Sequence, residues 1–276
     1  KSKEQKMEKQ VLNSMFESLL HIWNKTNFWN AKMKPYIYGS VNGIHVINLL
    51  ETAKKLEEVK AELAKLSSEG KKVLIVATKI QSRDAFKKLA EDTGSFYVCE
   101  KWVPGLLTNF KTIRKRINSY LQLLNDSESG ALDMLTKKEK ATKMLELEKL
   151  EKAYAWLKEM KKIPDVILAS DWIYEKQSLK EAQILNIKSF AVFNTNGDID
   201  LVSNLIPANT NSTKSFDYLA EELKGSFVKF TAPQAKATVR KVEDKQASGE
   251  KKAPQARKPR AKKEETAETA EAPKAE

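Results

Sequence analysis

The chain has 276 residues, with 49 Lys and Arg against 37 Asp and Glu and a formal net charge of +12. That length allows one large domain or two small ones, and the basic excess favours a polyanionic partner, since Lys and Arg release counterions from phosphates. A single Cys99 with only His21 and His45 excludes an internal disulfide and leaves too few ligands for a Cys/His metal site.

No apolar run reaches the length needed to span a membrane, and KSKEQKMEKQ (1–10) has no apolar stretch behind its charges. A cytoplasmic protein is therefore expected. The elements begin with Tyr36–Ser40 and Ile44–Ile47, which flank Asn42-Gly43, a dipeptide suited to a tight hairpin turn. Ala53, Leu56, Leu63 and Leu66 mark one face of a helix that stops before Gly70. KVLIVAT (72–78) is a strand apolar on both faces; a helix at about Ser82–Asp92 and a strand SFYV (95–98) follow.

Between about 104 and 162 no strand candidate occurs. Leu106, Phe110, Ile113, Ile117, Tyr120 and Leu124 alternate in steps of four and three, the seam of a coiled coil. DSESG (126–130) reads as a turn, and Thr136 with Glu139 as a capping box opening a second helix. That helix carries Met144, Leu147, Leu150, Tyr154 and Leu157, with Glu139–Lys143 and Glu148–Lys152 as supporting pairs. An inserted, projecting hairpin over 104–162 is expected; ordinary packing of both helices onto the domain is the alternative.

DVILAS (165–170), a helix near Glu175–Leu185, SFAVFN (189–194), a short strand near Leu205 and a helix over about Thr213–Phe230 complete the body. Buried runs alternating with helices predict an α/β fold, a doubly wound parallel sheet formed by 1–103 and 163–230. Residues 231–276 hold 12 Lys and Arg, 8 Asp and Glu and no aromatic residue, and read as a disordered tail.

Doubly wound sheets often bind nucleotides at the carboxyl ends of their strands, where Lys79 and Asp171 fall. Asp171, Asp198 and Asp200 would be the carboxylates of a magnesium-dependent phosphotransfer enzyme. Neither GxGxxG nor GxxxxGK[ST] occurs, however, and Asp and Asn after strands are common turn formers and helix caps. Clusters of aromatic and basic residues point to RNA instead. FWNAKMKPYIY (28–38) and EKWVPGLLTNFKTIRKR (100–116) interleave rings with cations, and RKPRAKK (257–263) lies in the tail.

The candidate RNA contacts are Trp29, Asn30, Lys32, Lys34, Lys79, Arg83, Lys101, Trp102, Thr108, Asn109, Lys111, Arg114, Lys115 and Arg116. Arg114, Lys115 and Arg116 fan over about 200° of their helix and should all point outward. No catalytic residue and no cofactor is expected.

WNAKMKPYIYG (29–39), NGIHVINL (42–49), KWVPGLLTNFKTI (101–113), LTKKE (135–139), LELEKLEK (145–152), IPDVILASD (163–171), FNTNGDID (193–200) and LIPAN (205–209) stand in register. Together they resemble the bacterial form of small-subunit ribosomal protein two over nearly all of residues 15–230. The resemblance implies a flavodoxin-like αβα domain with a projecting coiled coil, near the head–body junction of the small subunit. It also implies contacts with small-subunit ribosomal RNA and with neighbouring proteins, the multi-domain ribosomal protein one among them. Trp23 and Asn24 depart from the family's His-Phe-Gly-His run, Pro104 stands for a glycine and Asn194 for an aspartate. A free nucleic-acid-binding regulator is the alternative function.

Overall fold

The computed structural model describes residues 2–158 and 160–227; the expected tail lies outside them. Five strands form the parallel sheet: β4 (Val73–Val76), β5 (Phe96–Val98), β6 (Val166–Ala169), β7 (Lys188–Phe193) and β8 (Asn204–Pro207). Their order is β5-β4-β6-β7-β8, with Val73 opposite Val166 and Leu74 opposite Phe96. Every residue of β4 and β6 is buried, as a strand covered on both faces requires.

Alternation sorts these side chains into two layers. Val73, Ile75, Val166, Leu168, Phe190, Val192 and Ile206 meet α2 (Leu49–Ser68), α3 (Ile80–Thr93) and α7 (Thr213–Lys224). On the opposite face, Leu74, Val76 and Ile167 meet α4 (Phe110–Glu128) and α5 (Lys137–Tyr154). Ala191, Phe193 and Leu205 pack beside them under α6 (Lys176–Ile184) and the N-terminal strands. The doubly wound α/β fold is thus observed.

The helix over 53–66 begins at Leu49, because the Asn48 side chain accepts the Leu50 N–H and caps it. The last helix ends at Lys224, short of Phe230, with Ser226 turning back to the Leu223 carbonyl. Two elements carry no expectation from the sequence: α1 (Ser2–Glu17) and β1 (Ile22–Lys25). β1 pairs with β3 (Ile44–Ile47), which pairs with β2 (Ile37–Val41) across the expected hairpin. Asn42 and Gly43 take φ values of 52° and 76°, the two positive angles this turn needs.

α4 and α5 run antiparallel and share an apolar seam. Ile113, Ile117, Tyr120, Leu147 and Tyr154 are buried in it, and the capping box of Thr136 and Glu139 is formed. Of the two expected ion pairs, Glu148–Lys152 is present at 2.7 Å, whereas Lys143 pairs with Glu146. Burial fades away from the sheet: Met144 is exposed, and Met134 in the turn is 93% exposed. At the other end the seam runs without a break into Leu74, Val76 and Ile167 of the sheet. The helix pair is therefore rooted in the core of the domain.

That continuity predicts how the fold fails. Ile117→Asp buries a charge without a partner at a fully enclosed position and should lower stability by about 3 kcal/mol or more. Thermal unfolding followed by circular dichroism should show one transition moved to lower temperature. Met144→Asp should move it little. Separate melting of the helix pair would contradict a shared core.

Candidate nucleic-acid interface

The segment between β5 and α4, residues 99–109, has no regular structure and needs partners for its N–H groups. One carboxylate supplies them. Glu181, buried on α6, accepts from Trp102 Nε1 (3.1 Å) and Gly105 N (2.8 Å) with Oε1. Its Oε2 accepts from Leu107 N (3.0 Å), Thr108 N (3.3 Å) and Thr108 Oγ1 (3.4 Å). Burial pushes this carboxyl up, and the donors of Gly105, Trp102, Leu107 and Thr108 outweigh it, holding the group below its ordinary range.

Arg114 fastens the other side. Its Nη1 donates to the carbonyls of Lys158 (3.3 Å) and Met160 (3.2 Å), tying α4 to the chain that leaves α5. The expected outward fan is thus corrected: Lys115 and Arg116 are exposed, while Arg114 is turned to the chain's own backbone. Lys101, Thr108, Asn109 and Lys111 are exposed beside them. Trp102 is buried with its N–H on Glu181, so its ring serves the core and offers no face to a base.

Lys79 is likewise turned inward. It is buried at the carboxyl end of β4, where its ammonium meets Asp171 at 2.6 Å and Asn211 at 3.1 Å and lies 5.1 Å from the Tyr174 ring centre. A cation taken out of water needs such a partner, and none of its charge is left for a phosphate. Arg83 pairs with Glu100 at 3.3 Å. Asp198 and Asp200 both pair with Lys32, so the three carboxylates weighed as a magnesium set are divided between two lysines. Asn30 caps the 3-10 turn Ala31–Tyr36 by accepting the Lys32 N–H, Trp29 lies over His45, and Lys34 is exposed.

Beside Lys79, Glu175 is fully buried. Its Oε1 accepts from Thr78 N (2.5 Å) and Thr78 Oγ1 (2.8 Å), and its Oε2 has no hydrogen-bond partner among the described residues. Burial pushes its carboxyl up to about 7, with the Asp171 charge adding to the effect and the Thr78 donors opposing it. In the sequence both Glu175 and Glu181 fall only within the helix expected near Glu175–Leu185. The physical signal was there: Glu175 at the N-cap of α6 and Glu181 within it fall on the stripe that also holds Ser178, Leu179 and Ala182, where a carboxylate must find buried donors.

The family model for ribosomal protein S2 matches residues 15–229. The chain belongs to the ribosomal protein S2 family. It is 39% identical over 218 residues to the small ribosomal subunit protein uS2 of Fusobacterium nucleatum, covering 79% of this chain and 88% of that one. It is 38% identical over 213 residues to the uS2 of Coprothermobacter proteolyticus, covering 77% and 80%. With the uS2 of Actinobacillus pleuropneumoniae serotype 3 the identity is 39% over 204 residues, covering 74% and 86%. The S2 chain is thus a structural, non-enzymatic protein of the small ribosomal subunit. Among the described residues, no helix is long and apolar enough to cross a membrane.

Glu175 sets a pH dependence for this S2 chain. Its folded pKa lies above its ordinary 4.5, so the folded state keeps a proton that the unfolded chain releases. The contribution of Glu175 to stability should therefore be full below about pH 4.5 and fall by about 3 kcal/mol as pH rises to 7. Urea midpoints at pH 5 and pH 7.5 should differ in that direction, and Glu175→Gln should shrink the difference. An unchanged difference in the Gln variant would assign the effect elsewhere.

Proposed function

We propose that this S2-family chain holds small-subunit ribosomal RNA through the exposed cations at the start of α4. The observation that carries the reading is the state of Lys111, Lys115 and Arg116. All three are exposed and none forms an ion pair among the described residues. Lys111 and Lys115 are four residues apart and share a face of the helix, and α4 holds no acidic residue before Asp126. Lys101 and Asn109 are exposed on the segment that leads into this helix and add to its contacts with phosphates, and Lys34 is exposed on the N-terminal arm. The helix pair α4–α5 serves as a coiled-coil arm, and these cations stand at its root beside the sheet.

The chain acts in the cytoplasm, bound to the subunit, and its neighbours there include the multi-domain ribosomal protein one. The family membership supports a ribosomal place over that of a free regulator, and sedimentation with small subunits in a magnesium-containing gradient separates the two. The sharper test replaces Lys111, Lys115 and Arg116 together by Gln, which keeps helix propensity and removes charge. The melting temperature should hold, affinity for small-subunit ribosomal RNA should fall, and the slope of log affinity against log salt should shrink by about 2–3. A variant that keeps the parent's slope and incorporation would show that these cations only solvate the helix.

A further inference from the structure

Between Glu17 and Glu51 the chain contains no Asp or Glu. This acid-free stretch forms β1, β2, β3 and the turn at residues 26–30, and it presents two neighbouring rings to solvent: Phe28, 66% exposed, and Trp29, 45% exposed. A lone exposed ring is ordinary on a protein surface. Here two adjacent rings stand on a backbone tied from both sides. The Phe28 N–H donates to Lys25 O (3.0 Å), the Phe28 carbonyl accepts from Thr195 Oγ1 (3.2 Å), and the Asn30 N–H donates to Thr195 O (2.8 Å). Thr26 N donates to Gly43 O at 2.9 Å, and the Trp29 ring rests 5.9 Å from that of His45. The turn is thus ordered before any partner arrives, which lowers the entropy lost on binding.

The charges beside it choose the partner. Lys32 is neutralised by Asp198 and Asp200, whereas Lys25 and Lys34 are exposed without an ion pair among the described residues. Ring faces flanked by two cations that have no acidic partner among the described residues match a polyanion that carries flat bases, and the acidic pair nearby, Asp198 with Asp200, is engaged by Lys32. We propose that Phe28 and Trp29 form a stacking platform for unpaired RNA bases, with Lys25 and Lys34 taking the flanking phosphates. This rests on the RNA-binding reading above and separates two duties: α4 meets backbone phosphates, and the N-terminal turn takes bases that have left the helix.

The test uses the full chain with two probes, a single-stranded oligoadenylate of roughly 12 nucleotides and an A–U duplex of the same length. Phe28→Leu with Trp29→Leu keeps apolar bulk and removes the π faces. It should weaken binding of oligoadenylate about tenfold or more and change duplex binding less than about twofold, with the melting temperature unchanged. Phe28→Tyr with Trp29→Phe keeps both rings and should keep the affinity. Equal loss on both probes, or parent-like binding of oligoadenylate by the Leu pair, overturns the platform while leaving the α4 reading intact. Loss of incorporation into small subunits with oligoadenylate affinity retained would assign the rings to a protein partner and also overturn it. If the parent chain binds neither probe, the RNA reading falls and the platform with it.

Discussion

The geometry of the basic surface depends on one buried carboxylate. Glu181 takes three backbone N–H groups, an indole N–H and a hydroxyl, and among the described residues no cation pairs with it. The partners described for its charge are dipoles, as in the backbone cradles that bind anions elsewhere. Gly105, at φ 83°, turns the segment so that N–H groups on both sides of the turn converge on the same carboxylate. Where the segment ends, α4 begins, so the direction of the helix and of Lys111, Lys115 and Arg116 follows from where Glu181 sits. Arg114 fixes the same helix from its other flank by binding two carbonyls beyond α5.

A second consequence concerns the carboxyl edge of the sheet. In doubly wound folds the crevice between the strands where the winding reverses is a common ligand site. Here β4 and β6 flank that point, and the protein's own groups fill it: Lys79 with Asp171 and Asn211, Glu175 with Thr78, and Ser82 with Ser170 at 2.8 Å. The loop after β7 is tied in as well, since Trp172 Nε1 donates to Asn196 and Asn194 Nδ2 to Thr210. An architecture known for binding nucleotides inside is thus closed at its mouth, and the spare charge is carried on its outer surface.

The alternating order of strands and helices was legible because each buried strand is a short, unbroken apolar run between glycines and polar turns, as at Val73–Val76 and Val166–Ala169. The Asn42-Gly43 turn and the Thr136–Glu139 capping box were legible because their geometry is local. α1 escaped because its residues are mostly polar; among its described side chains Met15 is buried, with Leu20 buried just beyond the helix. The surface was legible in part. Periodicity separates seam from solvent, so it placed Lys115 and Arg116 outward; it could not foresee that Arg114 finds carbonyls 44 and 46 residues away. Trp102 and Lys79 were misplaced for the same reason, because their partners, Glu181 on α6 and Asp171 just after β6, lie far along the chain.

If Glu181 positions the cations of α4 for RNA as proposed, the loss of its charge should show in RNA affinity. Glu181→Gln removes the charge and replaces one acceptor oxygen by a donor, leaving N–H groups of the 99–109 segment unsatisfied. The measurement is its affinity for small-subunit ribosomal RNA across a salt series, at a temperature where parent and variant are both folded. The account predicts weaker binding at every salt concentration with the salt slope kept, since the same phosphates are met by a less ordered helix. Affinity equal to the parent's throughout would contradict it.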